Sequence, residues 1–494
     1  MLPSFAHAHI VRLLAAGALA FVAGGVCGGA GAATPAQAQK PPALLARPRA
    51  EAPGFTLALQ AVFPERAFPG LREILREGLL HGPTILISEW NAAAAAQETR
   101  EHGRARLLPS GGGWVNFGQN YEQYQDGGGA ARSRSLAAFL YGVSFYQPVY
   151  AWDSLTNNYK VWEMRQAMSE RNVGETRRLL AIDIRRRFFD IILKAGELDL
   201  ARKNLARHER DFREMEQAIA DGTRAAGEID IPGRAIQVAR PEIMRLENEL
   251  AALRESLVRI TGLPEQAIGE IPSEIPAAPD LRDAVYALSG GAAAPPSAHL
   301  QNLADNARIE KLNFEITKKR LWPTLGVTLA VSQESRTPNY TSEGQRFMFT
   351  TWGAYATVRW TLFDGLATQA AKRAALERMK AGEAGRSLAE KQEGAERRAE
   401  IARLLVQWEQ LQNTEHDLAR ARGGMEIVEQ DFKNGTASAR QAEDARMAYL
   451  NALQNPHGGA HAARANFYIA LVACLSNRGQ DPVIMAMQPT ITRK

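Results

Sequence analysis

The sequence predicts an α+β protein built from two copies of one helix–strand–strand–helix unit. Five apolar residues recur with a seven-residue period in two separate stretches, and four short segments alternate apolar with small or polar residues. Most of the remaining sequence is rich in Ala, Arg, Glu and Gln, which is typical of helices. A constant offset between the two sets of segments indicates an internal duplication.

The two seven-residue series are the strongest evidence for this duplication. Each residue of the second series lies 213 positions after its counterpart in the first, and Gly222 and Gly435 repeat the same offset. The series are Ile191, Leu198, Leu205, Phe212 and Ile219, and Leu404, Leu411, Leu418, Met425 and Phe432. A seven-residue period predicts coiled-coil helices. A helix of about 68 residues would be about 100 Å long.

These patterns predict the order of elements and the domain boundaries. The opening helices are expected at about 85–106 and about 297–320. The strands are expected at about 113–123, 136–147, 324–334 and 352–362, and the long helices at 152–220 and 366–433. After turns at Gly222 and Gly435, returning helices are expected to run to 261 and 476. The boundaries are a first unit at 39–262, a linker at 263–296, a second unit at 297–479 and a tail at 480–494.

The N-terminus has the layout of a cleaved export signal. Arg12 precedes the apolar run LLAAGALAFVAGGV, and a small-residue cleavage site ends at Ala38, so residues 1–38 are expected to be a signal peptide. The residues before Cys27 lack the Leu and the small residue of a lipoprotein signal, so lipidation is not expected. No run of 18 or more apolar residues follows, which excludes an ordinary transmembrane helix.

The four strands have the length of membrane-spanning strands. They contain about 10 to 12 residues, and a tilted strand needs about 9–11 to cross the hydrocarbon core. In WGAYATVRWTL (352–362), Trp352 and Trp360 lie on one face of the strand, and Arg359 lies on the other. A soluble sheet covered by helices would fit the alternation equally well, but the export signal, the helix length and the two Trp residues favour a membrane.

A membrane location predicts an oligomer. An open sheet edge is not tolerated in lipid, because unpaired backbone groups there each cost several kcal/mol. The smallest bacterial barrels contain about eight strands, so a chain with four must share its barrel with other chains.

Two short motifs recur at the ends of the strands in both units. Leu108-Pro109 and Trp322-Pro323 precede the first strand of each unit, and TLFDG (361–365) closes the last strand. QPVYAW (147–152) is the weaker counterpart of TLFDG and lacks its Asp-Gly. These motifs and their duplication resemble the TolC-like outer membrane efflux proteins. The residues expected at the strand-to-helix exits are Pro148, Phe363, Asp364 and Gly365.

The resemblance implies an α+β membrane protein that forms a homotrimer, in which four β-strands per chain complete a trimeric 12-stranded β-barrel. Beneath it, the long helices would form a periplasmic α-helical coiled-coil barrel. The implied partners are a periplasmic adaptor (membrane fusion) protein, an inner-membrane transporter of the ABC or RND type, and outer-membrane lipid. The implied location is the outer membrane of a Gram-negative bacterium, with Trp352 and Trp360 as lipid-interface aromatics.

The resemblance also implies a gate at the helix tips. Acidic residues that line the family's constriction lie about six and nine residues after the tip glycine. Counting from Gly222 and Gly435 gives the gate candidates Glu228, Asp230, Gln441, Glu443 and Asp444, and the family's aromatic residue before the tip corresponds to Phe432. Carboxylates around a narrow axis would favour cations. Equally, these could be solvated residues at a helix N-terminus, where acidic residues are favoured anyway.

The sequence gives little support for an enzyme or a cofactor. It contains no P-loop, no G-x-S-x-G and no H-E-x-x-H, and no third ligand accompanies His457 and His461, which we interpret as surface histidines rather than a metal site. The charges of both signs are interspersed at a formal net +5, so no nucleic-acid partner is indicated. In the family that the chain resembles, many dedicated drug-efflux members are lipoproteins. Because no lipidated cysteine is expected here, the resemblance favours type I secretion of a protein such as a toxin. Drug or metal efflux remains the alternative, and a soluble periplasmic coiled-coil adaptor is an alternative of another class.

Overall fold

The computed structural model describes residues 63–124, 132–279, 281–283, 285–286, 295–336 and 347–487. The predicted signal peptide and Cys27 lie outside the described residues. The first half contains α1 (Pro64–Ala67), α2 (Pro69–His81), α3 (Pro83–Leu107), β1 (Ser110–Tyr124), β2 (Arg132–Tyr150), α4 (Ser154–Ala220) and α5 (Asp230–Thr261). A short α6 (Glu265–Ile268) follows. The second half contains α7 (Ala298–Lys318), β3 (Thr324–Arg336), β4 (Phe347–Arg359), α8 (Ala367–Lys433), α9 (Ala439–Gln454), α10 (Ala460–Asn477) and α11 (Pro482–Met487).

The duplication is visible in the backbone. The helices α4 and α8 each contain 67 residues, and both ends of α8 lie 213 positions after those of α4. Each helix is followed by a glycine in the left-handed region, Gly222 with φ 72° and Gly435 with φ 77°. In this region a side chain with a Cβ costs about 1–2 kcal/mol, so glycine ends both helices at the lowest cost.

The four strands form one antiparallel sheet in the order β1–β2–β3–β4. Val115 pairs with Tyr141, Val143 with Val331, and Val331 with Trp352. Because directly paired residues share a face, this register collects the apolar residues of all four strands on one side of the sheet. The other side carries mainly glycine, serine, threonine and tyrosine.

The main hydrophobic core lies where the middle of α4 meets α2, the end of α5, α8 and α10. Its most buried large side chains include Phe188, Phe189 and Phe467, and Phe189 stacks on Tyr468 with ring centroids 6.0 Å apart. The heptad residues Ile191 and Leu404 belong to the same cluster. Residues of the seven-residue series therefore contribute to packing between the two halves of the chain as well as within each hairpin.

Three differences from the sequence interpretation have simple physical causes. The segment expected at 263–296 to be a linker contributes Ile268, Ile275 and Leu281 to the core, because burial of these apolar side chains is favourable. The second returning helix is interrupted between α9 and α10 at Asn455-Pro456-His457-Gly458-Gly459, because proline and glycine disfavour a continuous helix. β4 ends at Arg359, so Trp360 follows the strand instead of lying within it.

Within the described residues, no helix has the length and apolar character needed to cross a bilayer.

Candidate functional site

One face of the sheet exposes large apolar side chains. Trp352 is 80% exposed, and smaller apolar residues continue the surface across the sheet. Exposed apolar residues of this face are Val115, Phe117, Val143, Phe145, Leu325, Val327, Leu329 and Val358. A contiguous exposed apolar surface of this kind marks an interaction site or a lipid-facing surface.

The opposite face of the sheet combines aromatic rings with glycines. A Cβ at Gly142 would lie 2.8 Å from the Trp114 indole, and a Cβ at Gly326 would lie 2.5 Å from the Tyr146 ring. The glycines thus leave the space that these rings occupy. Nearby, the hydroxyls of Thr328 and Thr357 form a hydrogen bond of 3.1 Å across the strands. This face therefore combines aromatic rings with hydroxyl groups that can form hydrogen bonds.

The strand-to-helix exits are built in the same way in both halves, with different residues. Gly365 and Leu366 have φ values of 65° and 66°, and their counterparts Trp152 and Asp153 have 52° and 64°. A tryptophan in this region is unfavourable, and its contacts offset the cost. The Trp152 indole N–H donates to the Pro323 carbonyl at 2.7 Å, and its ring packs edge-on against Trp322 at 4.7 Å.

The exit of the second half is also capped. The Asp364 carboxylate accepts hydrogen bonds from the backbone N–H of Thr368 at 2.8 Å and from its hydroxyl. The hydrogen bond from Thr368 lowers the pKa of Asp364 below its usual value. Phe363 precedes α8, and its side chain is exposed. At the other exit, the pairing register between β2 and β3 shifts between Pro148 and Tyr150.

Large apolar side chains surround these exits. Trp360 is 60% exposed. The other exposed apolar residues around the exits are Leu107, Leu108, Val149, Tyr150, Trp322, Leu362, Phe363 and Leu366. They stand at the ends of the strands, where an aromatic girdle lies in membrane barrels.

At the tip of the second half, the gate candidates are held by hydrogen bonds and ion pairs. Gln441 caps the start of α9, where its Oε1 accepts from the Ser438 backbone N–H at 2.8 Å. Glu443 pairs with Arg210 and Asp444 pairs with Arg207, so both acids connect α9 to α4 of the other half.

At the tip of the first half, Glu228 pairs with Arg224 at 3.0 Å and also accepts from the Ala225 backbone N–H at 3.3 Å. Asp230 is the first residue of α5, where a negative charge favours the helix N-terminus. Phe432 is the next-to-last residue of α8 and is 45% exposed.

The sequence interpretation missed the arginines. The acids were predicted from their distance to the tip glycines alone, because the sequence does not show which residues of the first half lie opposite α9. Arg207 and Arg210 are three residues apart, so they share a helix face, and that spacing on α4 was the available signal. The candidate tip therefore carries paired charges rather than carboxylates alone.

The interpretation of both histidines as surface residues was wrong for His461. His461 is 2% exposed, and burial followed by the nearby Arg464 charge lowers its pKa. His457 is exposed and lies in the turn before α10, so the two do not share a helix face. Within the described residues, no cluster of three or more His, Cys, Asp or Glu side chains could hold a metal ion.

The comparison that decides the family is the match to its sequence model. The outer membrane efflux protein family matches residues 75–263 and 300–475, one segment in each half and more than half of the chain together. The chain belongs to the outer membrane efflux protein family. No curated protein matches the chain.

Solved structures of this family's architecture share the fold at low sequence identity. A membrane protein from Pseudomonas aeruginosa is 15% identical, with a TM-score of 0.64 and coverage of 88% of this chain and 98% of that one. The CmeC outer membrane channel of Campylobacter jejuni is 12% identical, with a TM-score of 0.65 and coverage of 83% and 86%. The MtrE outer membrane channel of Neisseria gonorrhoeae, in its open state, is 14% identical, with a TM-score of 0.59 and coverage of 83% and 89%.

Family membership confirms three predictions made from the sequence. The resemblance to the TolC-like outer membrane efflux proteins is correct, and the outer membrane efflux protein is a channel of Gram-negative bacteria, not an enzyme. The protein is located in the outer membrane, and proteins of this family extend from there into the periplasm. Members of the family form trimers and work with an adaptor and an inner-membrane transporter.

Proposed function

We propose that three copies of this outer membrane efflux protein form one channel, the exit duct of a tripartite export system. The observation that carries the proposal is a four-stranded sheet with one exposed apolar face and two edge strands, β1 and β4. Such a sheet cannot stand alone in lipid, and three copies joined edge to edge give twelve strands and close the barrel.

The face assignments follow from this arrangement. The apolar face with Trp352 contacts lipid, and the exposed residues around the strand-to-helix exits, including Trp360, lie at the membrane surface. The face with Tyr146, Thr328, Thr357 and Arg359 lines the lumen. Polar residues inside and apolar residues outside are the arrangement of membrane β-barrels.

The long helices supply the periplasmic part of the duct. At about 1.5 Å per residue, the 67 residues of α4 or α8 span about 100 Å. Their returning partners α5, α9 and α10 complete coiled-coil hairpins, and three chains would surround a water-filled tube. The tips at Gly222 and Gly435 would then face the adaptor and the transporter.

The tip residues act as a gate in this proposal. The pairs Arg207–Asp444 and Arg210–Glu443 link the hairpins of the two halves, so they hold the closed tip. Glu228, Asp230 and Gln441 stabilise the turns and helix starts on which the pairs depend. Phe432 lacks a hydroxyl, so it contributes packing near the tip and no hydrogen bond.

The proposed cargo is a polypeptide, exported by type I secretion with an ABC transporter. The support is that the sequence does not predict a lipidated cysteine. Drug or metal efflux with an RND transporter is the second candidate, supported by membership of the outer membrane efflux protein family.

Single-channel recording tests the pore. The full-length protein, purified from outer membranes in detergent, is expected to insert into a planar lipid bilayer and conduct K⁺ and Cl⁻ in discrete steps. Protein that is recovered in the soluble periplasmic fraction and gives no conductance steps would support the coiled-coil adaptor alternative and exclude the channel.

A further inference from the structure

Arg359 is the one formal charge on the part of the sheet whose side chains the structure describes. These side chains are those of residues 110–118, 140–150, 324–333 and 350–359. The remaining residues there are apolar, aromatic or neutral polar. Within this described part of the sheet, a single cation among neutral side chains contributes strongly to the electrostatic potential near it.

The Arg359 side chain is exposed and positioned by its neighbours. Its guanidinium carbon lies 5.3 Å from the centre of the Tyr146 ring, a cation–π distance, so the charge lies over the Tyr146 side of the sheet. On the backbone, Arg359 pairs with Thr324, whose hydroxyl donates to the Arg359 carbonyl at 3.4 Å. The charge is therefore held at the end of the strand, close to the helix exits.

Within the described residues, Arg359 forms no ion pair. Of the two acids at the neighbouring exits, Asp153 lies 3.6 Å from Lys319. Asp364 accepts a hydrogen bond from Thr368, keeps its negative charge and forms no ion pair with Arg359. The tip acids Glu228, Glu443 and Asp444 are each paired with an arginine. Their negative charges are therefore partly compensated, which reduces the preference for cations that they would give the channel.

We infer that Arg359 is a specificity-determining residue that favours anions in the barrel lumen. This inference rests on the proposed function, in which three chains place three Arg359 side chains around one lumen. Cations crossing this section meet a ring of positive charge, and anions are attracted to it. The charge class favoured in transit is anionic, either small inorganic anions or acidic groups on a larger solute.

Reversal potentials in planar bilayers test the inference with K⁺ and Cl⁻ as the probes. In a KCl gradient at about 0.1 M, where the Debye length is about 10 Å, R359Q is expected to lower the Cl⁻/K⁺ permeability ratio about twofold or more. R359K keeps the charge and is expected to keep the ratio, and R359E is expected to lower it further than R359Q. Raising the salt to about 1 M, where the Debye length is about 3 Å, should remove most of the difference.

The outcomes separate this inference from the proposed function. Equal permeability ratios in the wild-type protein, R359Q and R359E would overturn the inference and leave the channel intact. Absence of any conductance in the wild-type protein would overturn the channel itself. If R359Q does not assemble, the salt dependence of the wild-type ratio decides, since a ratio that does not change between about 0.1 and 1 M contradicts a charged ring. If the wild-type protein and R359K bind anionic lipid tightly, and the Arg359 substitutions leave the Cl⁻/K⁺ permeability ratio unchanged, Arg359 lies at the lipid surface and the inference is overturned.

Discussion

At the scale of single residues, the most buried charge joins both ends of the described chain. Arg185 in α4 is 1% exposed and forms ion pairs with Glu65 before α2 and with Asp481 before α11. The pairing with Asp481 is bidentate, at 2.6 and 3.1 Å, and the Ser476 hydroxyl donates to the same carboxylate at 2.8 Å. Removing one partner of such a group leaves a buried charge uncompensated, which is strongly destabilising.

Asp481 gives this network a pH dependence. Burial by itself would raise the pKa of Asp481, but the hydrogen bonds and charge of Arg185, with Ser476, hold it below its ordinary value of 3.8. A lowered folded-state pKa contributes stability that is complete above the unfolded pKa and is lost as the pH falls through the folded pKa. At pH 7, Asp481→Asn is expected to destabilise the fold by about 2–3 kcal/mol.

The measurement is the midpoint of thermal unfolding of the detergent-purified protein by circular dichroism. The stability difference between wild-type protein and D481N should be largest at pH 7. It should shrink below about pH 4, where the Asp481 carboxyl of the unfolded chain becomes protonated while the folded chain still holds it ionised. Asp417→Asn, at an exposed i,i+3 pair with Arg420, is the matched control and should have little effect at either pH. A D481N effect that is equal at pH 7 and at pH 3 would contradict the network.

At the scale of elements, the two faces of β4 differ in what they tolerate. Ala356 and Val358 lie on the apolar face, and Thr357 lies on the face with Arg359. A lysine near the bilayer midplane of the lipid face costs about 2–4 kcal/mol, so Ala356→Lys is expected to reduce assembly in the outer membrane. Thr357→Lys, one residue away, is the control and should assemble normally, although it loses the hydrogen bond to Thr328.

The readout is the amount of heat-modifiable oligomer in the outer-membrane fraction. Strong loss for A356K with near-normal assembly of T357K is the expected result. Equal tolerance of both lysines would show that this strand does not contact lipid.

The helix tips make a second prediction at this scale. Each exposed ion pair contributes about 0.2–1 kcal/mol, so the double substitution R207Q/R210Q is expected to raise the open fraction of single channels roughly two- to thirtyfold. Arg446→Gln breaks the pair with Glu429, which joins α9 to α8 within the same half. It is therefore the matched control, and an equal effect of R446Q would contradict a gate between the halves.

At the scale of the whole molecule, the repeated features were the ones that could be predicted from sequence. The seven-residue period predicts both long helices to within about two residues, because an apolar stripe must be continuous to be buried. The alternation predicts four strands but extends β4 to 362, because Trp360 and Leu362 continue the apolar pattern after pairing with β3 ends at Arg359.

Features that depend on contact between distant segments were not predictable. The pairing of Arg207 with Asp444 and the burial of His461 and Ile275 depend on how the second half packs against the first. The left-handed Trp152 shows the same limit. The missing Asp-Gly of QPVYAW suggested a departure from the motif. However, the backbone of Trp152 has the same left-handed conformation as Gly365, and the Trp152 indole N–H donates a hydrogen bond to the Pro323 carbonyl.

In the proposed assembly, this outer membrane efflux protein becomes a closed channel only as three chains. The most direct test is the native mass of the complex extracted in detergent from the outer membrane. We expect three mature chains per particle. With four strands per chain, three chains supply the twelve strands that close the barrel. A stable particle with one or two chains, extracted intact from the outer membrane, would contradict it.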